Sequence, residues 1–526
     1  MAGITQEQEQ RWRRQGTWFG LLAVLVVGAW PLLSLVAGGG EASAGPQAVA
    51  VRQEINRLTA TQLAALRRGI AVMQSRPETD PTSWLYQAHI HGFPTPGEDS
   101  ACAAPTSVPR IAWASCQHGS FFFLAWHRMY LYYFERILRQ ASGDPSLTLP
   151  YWDYSPATSR ELPLPFRQPA QASNPLFVPE RDPAANAGTL RLQDNEVDAR
   201  QALSRIPFSV GPERVSSESF GGSSVALPAH FGTFAGQLEQ QPHNVIHTVI
   251  GGPTGFMSDP NCAARDPIFY LHHANIDRLW EAWLRQGGGR ANPTTDVVWL
   301  RTSFTFFDEH GQPVTLTARD ILDTVTNLGY RYDDAGSTPP AGQAVAATPA
   351  ASDEAQPASQ ALDAMERLAV LSDTGLRAMN LGPQGGAMHG QLSEDGVALL
   401  RAPAPGESPT RLGLVLADVQ LVQPGAYFAV YLNLPPGAKP DAKSLYYVGN
   451  IALFGPAQHA AHAAHGTPGS EFMFDVTDTV RALQERGEWR DDFTLTFVRN
   501  NRSAAAPAPN EPSVFLQVGR ILLIQF

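Results

Sequence analysis

Six of the fourteen histidines fall into two groups whose spacing suits metal binding. His243 and His247 are four residues apart, so both side chains lie on one face of a predicted helix. His273 lies on the next predicted helix, and His127 opens another, with His118 nine residues before it. The candidate metal ligands, in chain order, are His91, His118, His127, His243, His247 and His273.

The ligand type narrows the choice of metal. Neutral imidazole binds copper, iron, nickel or zinc. Neither group has an aspartate or glutamate at helical spacing as an obvious further ligand. This disfavours His-carboxylate iron sites and carboxylate-rich di-iron bundles. Three imidazoles for each of two metal ions leave coordination positions open for a bridging small molecule such as dioxygen.

Two further histidines compete with these candidates. His89 is two residues before His91, and His272 directly precedes His273. Residues this close together point to different faces of a helix, so one of each pair should reach a shared metal. We take His91 and His273. A lone His-x-x-x-His pair is more often a surface pair, but six histidines in apolar, aromatic segments are hard to explain without a metal.

The elements that must position these histidines are helical. The predicted helices span residues 80–92, 126–140, 237–250 and 266–283. The first and last begin at an aspartate–proline pair, which is typical of a helix N-terminus. We therefore predict a mainly α catalytic domain, a four-helix bundle around a two-metal site, with long loops.

The composition changes after this domain. From residue 333 to 357, Ala, Pro, Ser and Gly predominate, which indicates a linker. Short alternating apolar runs follow, and they predict a C-terminal β-sandwich. The predicted strands lie within 412–416, 427–434, 472–476, 493–498 and 514–524. The predicted segments are 1–44, an export signal or membrane anchor; 45–332, the catalytic domain; 333–360, the linker; and 361–526, the sandwich.

The net charge and the N-terminal segment restrict the possible partners and the location of the protein. The formal net charge of −11 argues against nucleic acid, because no basic face would neutralise phosphates. Three arginines precede an apolar run at residues 18–37, and a small-residue cleavage pattern follows at 42–44. This predicts export, either with a cleaved signal peptide or with an uncleaved anchor that faces the outside. In an exported protein Cys102 and Cys116 are candidates for one disulfide, with Cys262 left over.

Two long motifs resemble those of a known family. Residues 117–128 read QHGSFFFLAWHR, and residues 265–280 read RDPIFYLHHANIDRLW. They resemble the first and second copper motifs of tyrosinases and plant-type polyphenol oxidases. His243 and His247 match the other two ligands of the second motif. Residues 361–526 resemble, more weakly, the C-terminal shielding domain of latent polyphenol oxidases.

The resemblance implies a paired (type 3) copper site. Two copper ions would use dioxygen to oxidise o-diphenols to o-quinones and, as in tyrosinases, to hydroxylate monophenols. In the family a Glu/Asn pair holds a water that deprotonates a monophenol, and Glu239 and Asn244 match that pair. The structural alternative is a solvated charge for Glu239 and a surface amide for Asn244. A shielding domain joined by a linker also implies activation by a protease.

The chain departs from the family at two positions. Plant-type enzymes often carry a cysteine four residues after the first copper histidine, linked to the second; here Thr95 stands there. We therefore expect no thioether at His118 unless another cysteine substitutes. Where a bulky phenylalanine can cover the first copper, this chain has Pro260, which favours an open site.

Other functions remain compatible with the same histidines. One is an oxygen carrier of the haemocyanin type, and another is an oxidase of o-aminophenols or of a dedicated secondary metabolite. The run His459, His462 and His465 is either a copper-handling segment or a solvated loop.

Overall fold

The computed structural model describes residues 49–98, 100–110, 112–334, 370–373, 379–400, 411–422, 426–454, 469–500 and 514–525. The predicted N-terminal segment, the predicted linker from residue 335 onward, and the run His459, His462 and His465 lie outside these residues. Within the ranges described, every helix is too short or too polar to cross a bilayer.

Five longer helices form the helical domain: α1 (Ala60–Ser75), α2 (Trp84–His91), α3 (Phe123–Ser142), α4 (Asn244–Gly251) and α5 (Pro267–Arg285). The predicted helical domain is confirmed, and α1 adds a helix that the sequence did not single out. A capping box between Thr59 and Gln62 begins α1. It packs on α3 where Gly69 lies against Leu138, and a Cβ at Gly69 would come within 2.8 Å of Leu138 Cδ1. The two helices therefore approach closely.

The helix boundaries differ from the prediction at several places. The helix predicted at 126–140 spans Phe123–Ser142, so His127 lies one turn inside it rather than at its start. Ser83, not Asp80, caps α2, because Ser83 accepts the Tyr86 N–H while Asp80 accepts the Thr82 N–H in the preceding turn. The predicted helix at 237–250 is divided: a π-helical turn at Glu239–His243 precedes α4. Asp266 caps α5 as predicted.

A buried ion network ties the ends of the helical domain together. The short strand Ala50–Arg52 pairs in parallel with the strand Tyr330–Tyr332. Asp277 on α5 accepts from both tyrosine hydroxyls at 2.6 Å and from Arg128 Nε at 2.6 Å. Arg52 lies 3.5 Å from the same carboxylate. Burial alone would raise the pKa of Asp277, but Arg128 and Arg52 hold it below its ordinary value.

Long irregular segments surround the helices. Residues 155–232 contain three short helices, Leu164–Arg167, Pro183–Ala187 and Arg200–Ser204. A fourth, Val297–Arg301, leads into a hairpin of Ser303–Phe307 and Pro313–Thr317.

The C-terminal region is built from two sheets. The four-stranded sheet has the order Tyr447–Ala452, Tyr427–Leu432, Thr494–Arg499 and Gly386–His389. The other sheet has the order Val370–Asp373, Arg520–Gln525, Leu412–Leu421, Leu516–Val518 and Met379–Leu381, with Ser470–Asp475 also paired to Leu412–Leu421. Apolar residues of both sheets, such as Leu414, Phe428 and Phe497, form one core. In the described part of this region, two helices, Glu394–Leu399 and Thr477–Glu485, accompany the sheets. The predicted strand-rich C-terminal domain is confirmed.

The disulfide prediction was wrong. Cys102 is bonded to Cys262, and Cys116 is a free, buried cysteine. The loop after α2 folds outward onto the turn that precedes α5, which brings Cys102 to Cys262. Cys116 is instead carried inward, because the Ser115 N–H donates to the Ile90 carbonyl at 3.0 Å at the end of α2.

Replacing Asp277 with alanine should strongly destabilise the helical domain, because it leaves two buried guanidinium groups without their shared carboxylate. We expect a loss of about 3–5 kcal/mol. Glu309→Ala is the control, since it breaks a partly exposed pair with Arg136 and should cost about 0–1 kcal/mol. Urea unfolding followed by tryptophan fluorescence measures both. Equal losses in the free energy of unfolding for the two variants would contradict the role of this network.

Candidate metal centre

The first group of predicted ligands is brought together. His91 is the last residue of α2, His118 lies in the loop before α3, and His127 lies in the first turns of α3. One ring nitrogen from each lies within 4.8 Å of the others, and all three side chains are buried. The loop histidine is held by main-chain bonds, with the His118 N–H donating to the His230 carbonyl and the His118 carbonyl accepting from Gly232.

The second group contains one more histidine than the sequence predicted. His243 and His247 lie with His272 in a cluster whose ligand atoms are within 4.8 Å of one another. His273 is not part of that cluster, but its Nε2 lies 3.3 Å from His247 Nε2. The His273 ring also stacks on His127 of the first group, with centroids 4.3 Å apart. The structure therefore offers both His272 and His273 to the second site.

Four of these histidines are oriented through Nδ1. Main-chain carbonyls face Nδ1 of His91, His127 and His247, and the Asn244 side-chain oxygen faces Nδ1 of His243. The acceptors are Pro260 O at 3.0 Å, Phe123 O at 2.8 Å, Met257 O at 2.7 Å and Asn244 Oδ1 at 2.9 Å. Each bond places the ring proton on Nδ1 and turns Nε2, with its lone pair, toward the site.

The buried Nε2 atoms are the observation that fits a metal. In the described part of the chain, Nε2 has no hydrogen-bond partner in His91, His118, His127, His243 and His272. A buried polar atom without a partner costs about 1–3 kcal/mol, so five in one place need a common explanation. Imidazole nitrogens alone, with no thiolate among them, suit copper.

The ring charges agree with this explanation. Burial lowers the pKa of every histidine in both groups below its ordinary value, to about 3 for His243. The rings are therefore neutral at physiological pH, and the neutral form is the one that binds metals.

The two residues predicted to hold a water lie beside this site. Glu239 is buried, and its Oε1 accepts the Gly119 N–H at 2.8 Å while Oε2 has no partner. Burial raises the pKa of Glu239 to about 8, against the bond from Gly119. A cavity of about 10 Å³ is lined by Glu239, Asn244 and His118. That is room for about one water molecule. Neither residue is a solvated surface group.

Two other residues at the site were not predicted from the sequence. Phe454, which follows the strand Tyr447–Ala452 of the C-terminal region, stacks on His247 with centroids 3.9 Å apart. It also meets His118 and His243 edge-on, at 5.4 and 5.6 Å. No pattern around Phe454 distinguishes it from the other apolar residues of a sandwich. Cys116 Sγ lies 3.3 Å from His118 Nδ1, and its position two residues before that histidine was the available signal.

The structure shows the surroundings of Thr95 and Pro260, the two positions where the sequence departs from the family pattern. Thr95 is at the surface, where its N–H and hydroxyl donate to Glu98, so Cys116 is the cysteine beside His118. Pro260 contributes its carbonyl to His91, and the ring that covers the site comes from Phe454 instead.

Comparisons with known proteins agree with the fold and the site. Residues 81–286 match the common central domain of tyrosinase, residues 294–341 match the polyphenol oxidase middle domain, and residues 386–525 match a domain of unknown function. Tyrosinase HcTyr1 of Hahella sp. is 34% identical over 498 residues, which cover 90% of this chain and 98% of that protein. The latent chloroplastic polyphenol oxidase of Prunus armeniaca is 31% identical over 296 residues, 53% of this chain and 47% of that protein.

The fold resembles two solved structures along most of the chain. Latent apple tyrosinase has a TM-score of 0.61 at 20% identity, covering 91% of this chain and 98% of that one. Recombinant latent aurone synthase has a TM-score of 0.60 at 22% identity, covering 91% and 90%. With the buried histidine groups, these findings favour an oxidase over an oxygen carrier. The chain belongs to the tyrosinase family, and it uses two copper ions and dioxygen to oxidise phenols.

Proposed function

We propose that this protein oxidises o-diphenols to o-quinones, also hydroxylates monophenols, and is held inactive by its C-terminal domain. The observation that carries the proposal is the Phe454 ring stacked on His247 inside a site with room for about one water. A phenol cannot enter until that ring leaves. The similarity to proteins described as latent supports the same interpretation.

For the copper ligands we propose His91, His118 and His127 at one ion, and His243, His247 and His273 at the other. His273 is preferred to His272 because its Nε2 lies 3.3 Å from His247 Nε2. Two imidazole nitrogens that share a tetrahedral ion at about 2.0–2.1 Å lie about 3.3–3.4 Å apart. His272 instead has Nδ1 at 3.4 Å from the Tyr154 hydroxyl, although its own Nε2 is buried without a hydrogen-bond partner.

When bound, the copper ions supply the activation of dioxygen. The chain supplies a dry cavity and a base. Phe123 and Phe269, both fully buried, pack against histidines of the two groups and exclude water. Glu239 would accept the proton of a monophenol through a water, and Asn244 would orient that water.

In the closed protein neither residue is ready for this step. Burial raises the pKa of Glu239 to about 8 in the metal-free site, which disfavours the carboxylate form that a base needs. The Asn244 amide donates to the Ala452 carbonyl of the C-terminal domain at 3.2 Å. Removing that domain would hydrate Glu239, lower its pKa toward the ordinary value, and free the Asn244 amide. The domain would thereby restrain the base as well as cover the site.

The segment limits follow from the same arrangement. Asp333 and Asp334 belong with the helical domain, because Tyr151 donates to Asp333 at 2.6 Å and Arg278 to Asp334 at 2.7 Å. We therefore propose that an activating protease cleaves after these residues, within 335–369. We also propose export, with the N-terminal segment as a cleaved signal or a membrane anchor.

Replacing His273 with alanine should remove one of two copper ions, whereas His272→Ala should keep both. The matched pair differs by one position on α5, so a general loss of stability is shared. Atomic absorption after dialysis should find about one copper ion per chain in His273→Ala and about two in His272→Ala. The reverse result would assign the ligand to His272.

Replacing Phe454 with alanine should raise catechol oxidation by the intact chain at least about ten-fold, because it opens the space above His247. Leu432→Ala is the control, since Leu432 packs in the core of the sandwich and does not line the cavity beside Phe454. Equal activation by both variants would mean that loosening of the domain, not loss of the ring, opens the site. Cleavage within 335–369 should activate wild type further. If no form produces quinone, the carrier interpretation is favoured.

Glu239→Gln and Asn244→Gly should impair monophenol hydroxylation more than diphenol oxidation, because a catechol needs less help to lose its proton. General acid–base assistance is worth about 10²–10⁴-fold. We expect at least about a ten-fold larger loss of kcat/KM on tyramine than on catechol, measured on cleaved protein. Equal losses on both substrates would exclude the water-holding role.

A further inference from the structure

One short segment between α4 and α5 orients a histidine in each of the two groups. The Met257 carbonyl faces His247 Nδ1 at 2.7 Å, and the Pro260 carbonyl faces His91 Nδ1 at 3.0 Å. Residues 256–262, here called the bridging segment, therefore set the ring direction at both proposed copper sites. A displacement of this segment would turn one ligand of each ion.

Asp259 fixes the bridging segment to the loop that follows α2. Its side chain is buried, and Oδ2 accepts from the Ser100 hydroxyl at 2.5 Å and from the Ala101 N–H at 2.8 Å. Oδ1 accepts from the N–H of Asn261, within the segment itself, at 2.9 Å. The carboxylate thus joins the loop after α2 to the bridging segment directly beside Pro260.

Two further links act in parallel with Asp259. The Cys102–Cys262 disulfide joins the same loops, and the Asn261 amide donates to Glu98 at 3.0 Å. Gly92 shows how closely the segment lies against the end of α2, since a Cβ there would come within 2.8 Å of the Pro260 oxygen. The loop after α2, the bridging segment and His91 therefore form one fixed unit.

We infer that Asp259 and the Cys102–Cys262 disulfide are positioning groups for both copper ions. Neither binds metal. They hold the two carbonyls that keep His91 and His247 in the tautomer and direction needed for ligation. Loss of a partner of this kind usually weakens metal binding by about 10–100-fold. The inference rests on the proposed assignment of His91 and His247 as ligands, one at each ion.

The test is Cu(I) affinity of copper-free, full-length protein, measured without oxygen by competition with a chromophoric chelator. Asp259→Asn keeps the shape of the side chain but presents an amide to the donors of Ser100 and Ala101. We expect both copper ions to bind about 10–100-fold more weakly. Asp296→Asn is the matched control, because Asp296 also accepts a main-chain N–H, from Trp299, and lies outside the bridging segment. The Cu(I) affinity of Asp296→Asn should stay within about three-fold of the wild-type affinity.

Reduction tests the disulfide without a substitution. A phosphine and water convert the Cys102–Cys262 bond to two thiols, with the phosphine oxidised to its oxide. After removal of the phosphine, wild type should bind Cu(I) at least about ten-fold more weakly. The double variant Cys102→Ser, Cys262→Ser should already be weakened and should not respond to the phosphine. If Asp259→Asn does not fold, as judged by circular dichroism, the Cys102→Ser, Cys262→Ser variant decides, because it offers Cu(I) no new thiol ligands.

Unchanged affinity in both Asp259→Asn and reduced protein would overturn the inference. Weaker binding of only one of the two copper ions would also overturn the inference, because the bridging segment contacts both histidine groups. His91→Ala and His247→Ala test the underlying assignment separately. If either variant still binds two copper ions tightly, the ligand assignment fails; if both lose copper while Asp259→Asn does not, the positioning role fails.

Discussion

The structure depends on a set of buried imidazole rings whose hydrogen-bonding capacity is half used. On one side of the rings of His91, His127 and His243, Nδ1 is bonded to a protein oxygen; on the other side, Nε2 has no hydrogen-bond partner. Leaving these nitrogens bare is costly in an apolar core, and copper ions relieve that cost. Copper binding at these histidines would therefore stabilise the folded chain.

The same dryness that favours neutral histidines acts against the base. Glu239 lies in the apolar surroundings that hold the imidazole pKa values down, and burial raises its pKa to about 8. A carboxylate that is to take a proton at neutral pH needs water, whereas the ligands do not. In the proposed mechanism a removable cover would resolve this conflict, because opening the site would hydrate Glu239 while the histidines remain held by helices α2 to α5 and by the bridging segment.

Local spacing predicted the first histidine group, the helical domain and the strand-rich region, since each depends on periodicity and capping. The features that were missed depend on contacts between distant segments. The choice of His273 over the adjacent His272 stays a prediction, because it depends on how α5 is rotated against α4. Cys102 finds Cys262 across 160 residues because two loops pack together. Phe454 reaches the histidines because a second domain docks there, and its own sequence neighbourhood is ordinary.

The contact between the domains is polar around a small apolar centre, and this bears on how the cover works. Gln240 donates to the Glu471 carbonyl at 2.6 Å, and the Met473 N–H donates to Ser217 at 2.9 Å. Such groups can bond water equally well once the domains separate. Phe454 is different, since it leaves an apolar gap above His247. Its phenyl ring has the outline of a phenol without the hydroxyl, so it fills the space of a substrate ring and offers no oxygen to the metal ions. In the proposed mechanism, the ring of a phenol then takes the place of the Phe454 ring above His247.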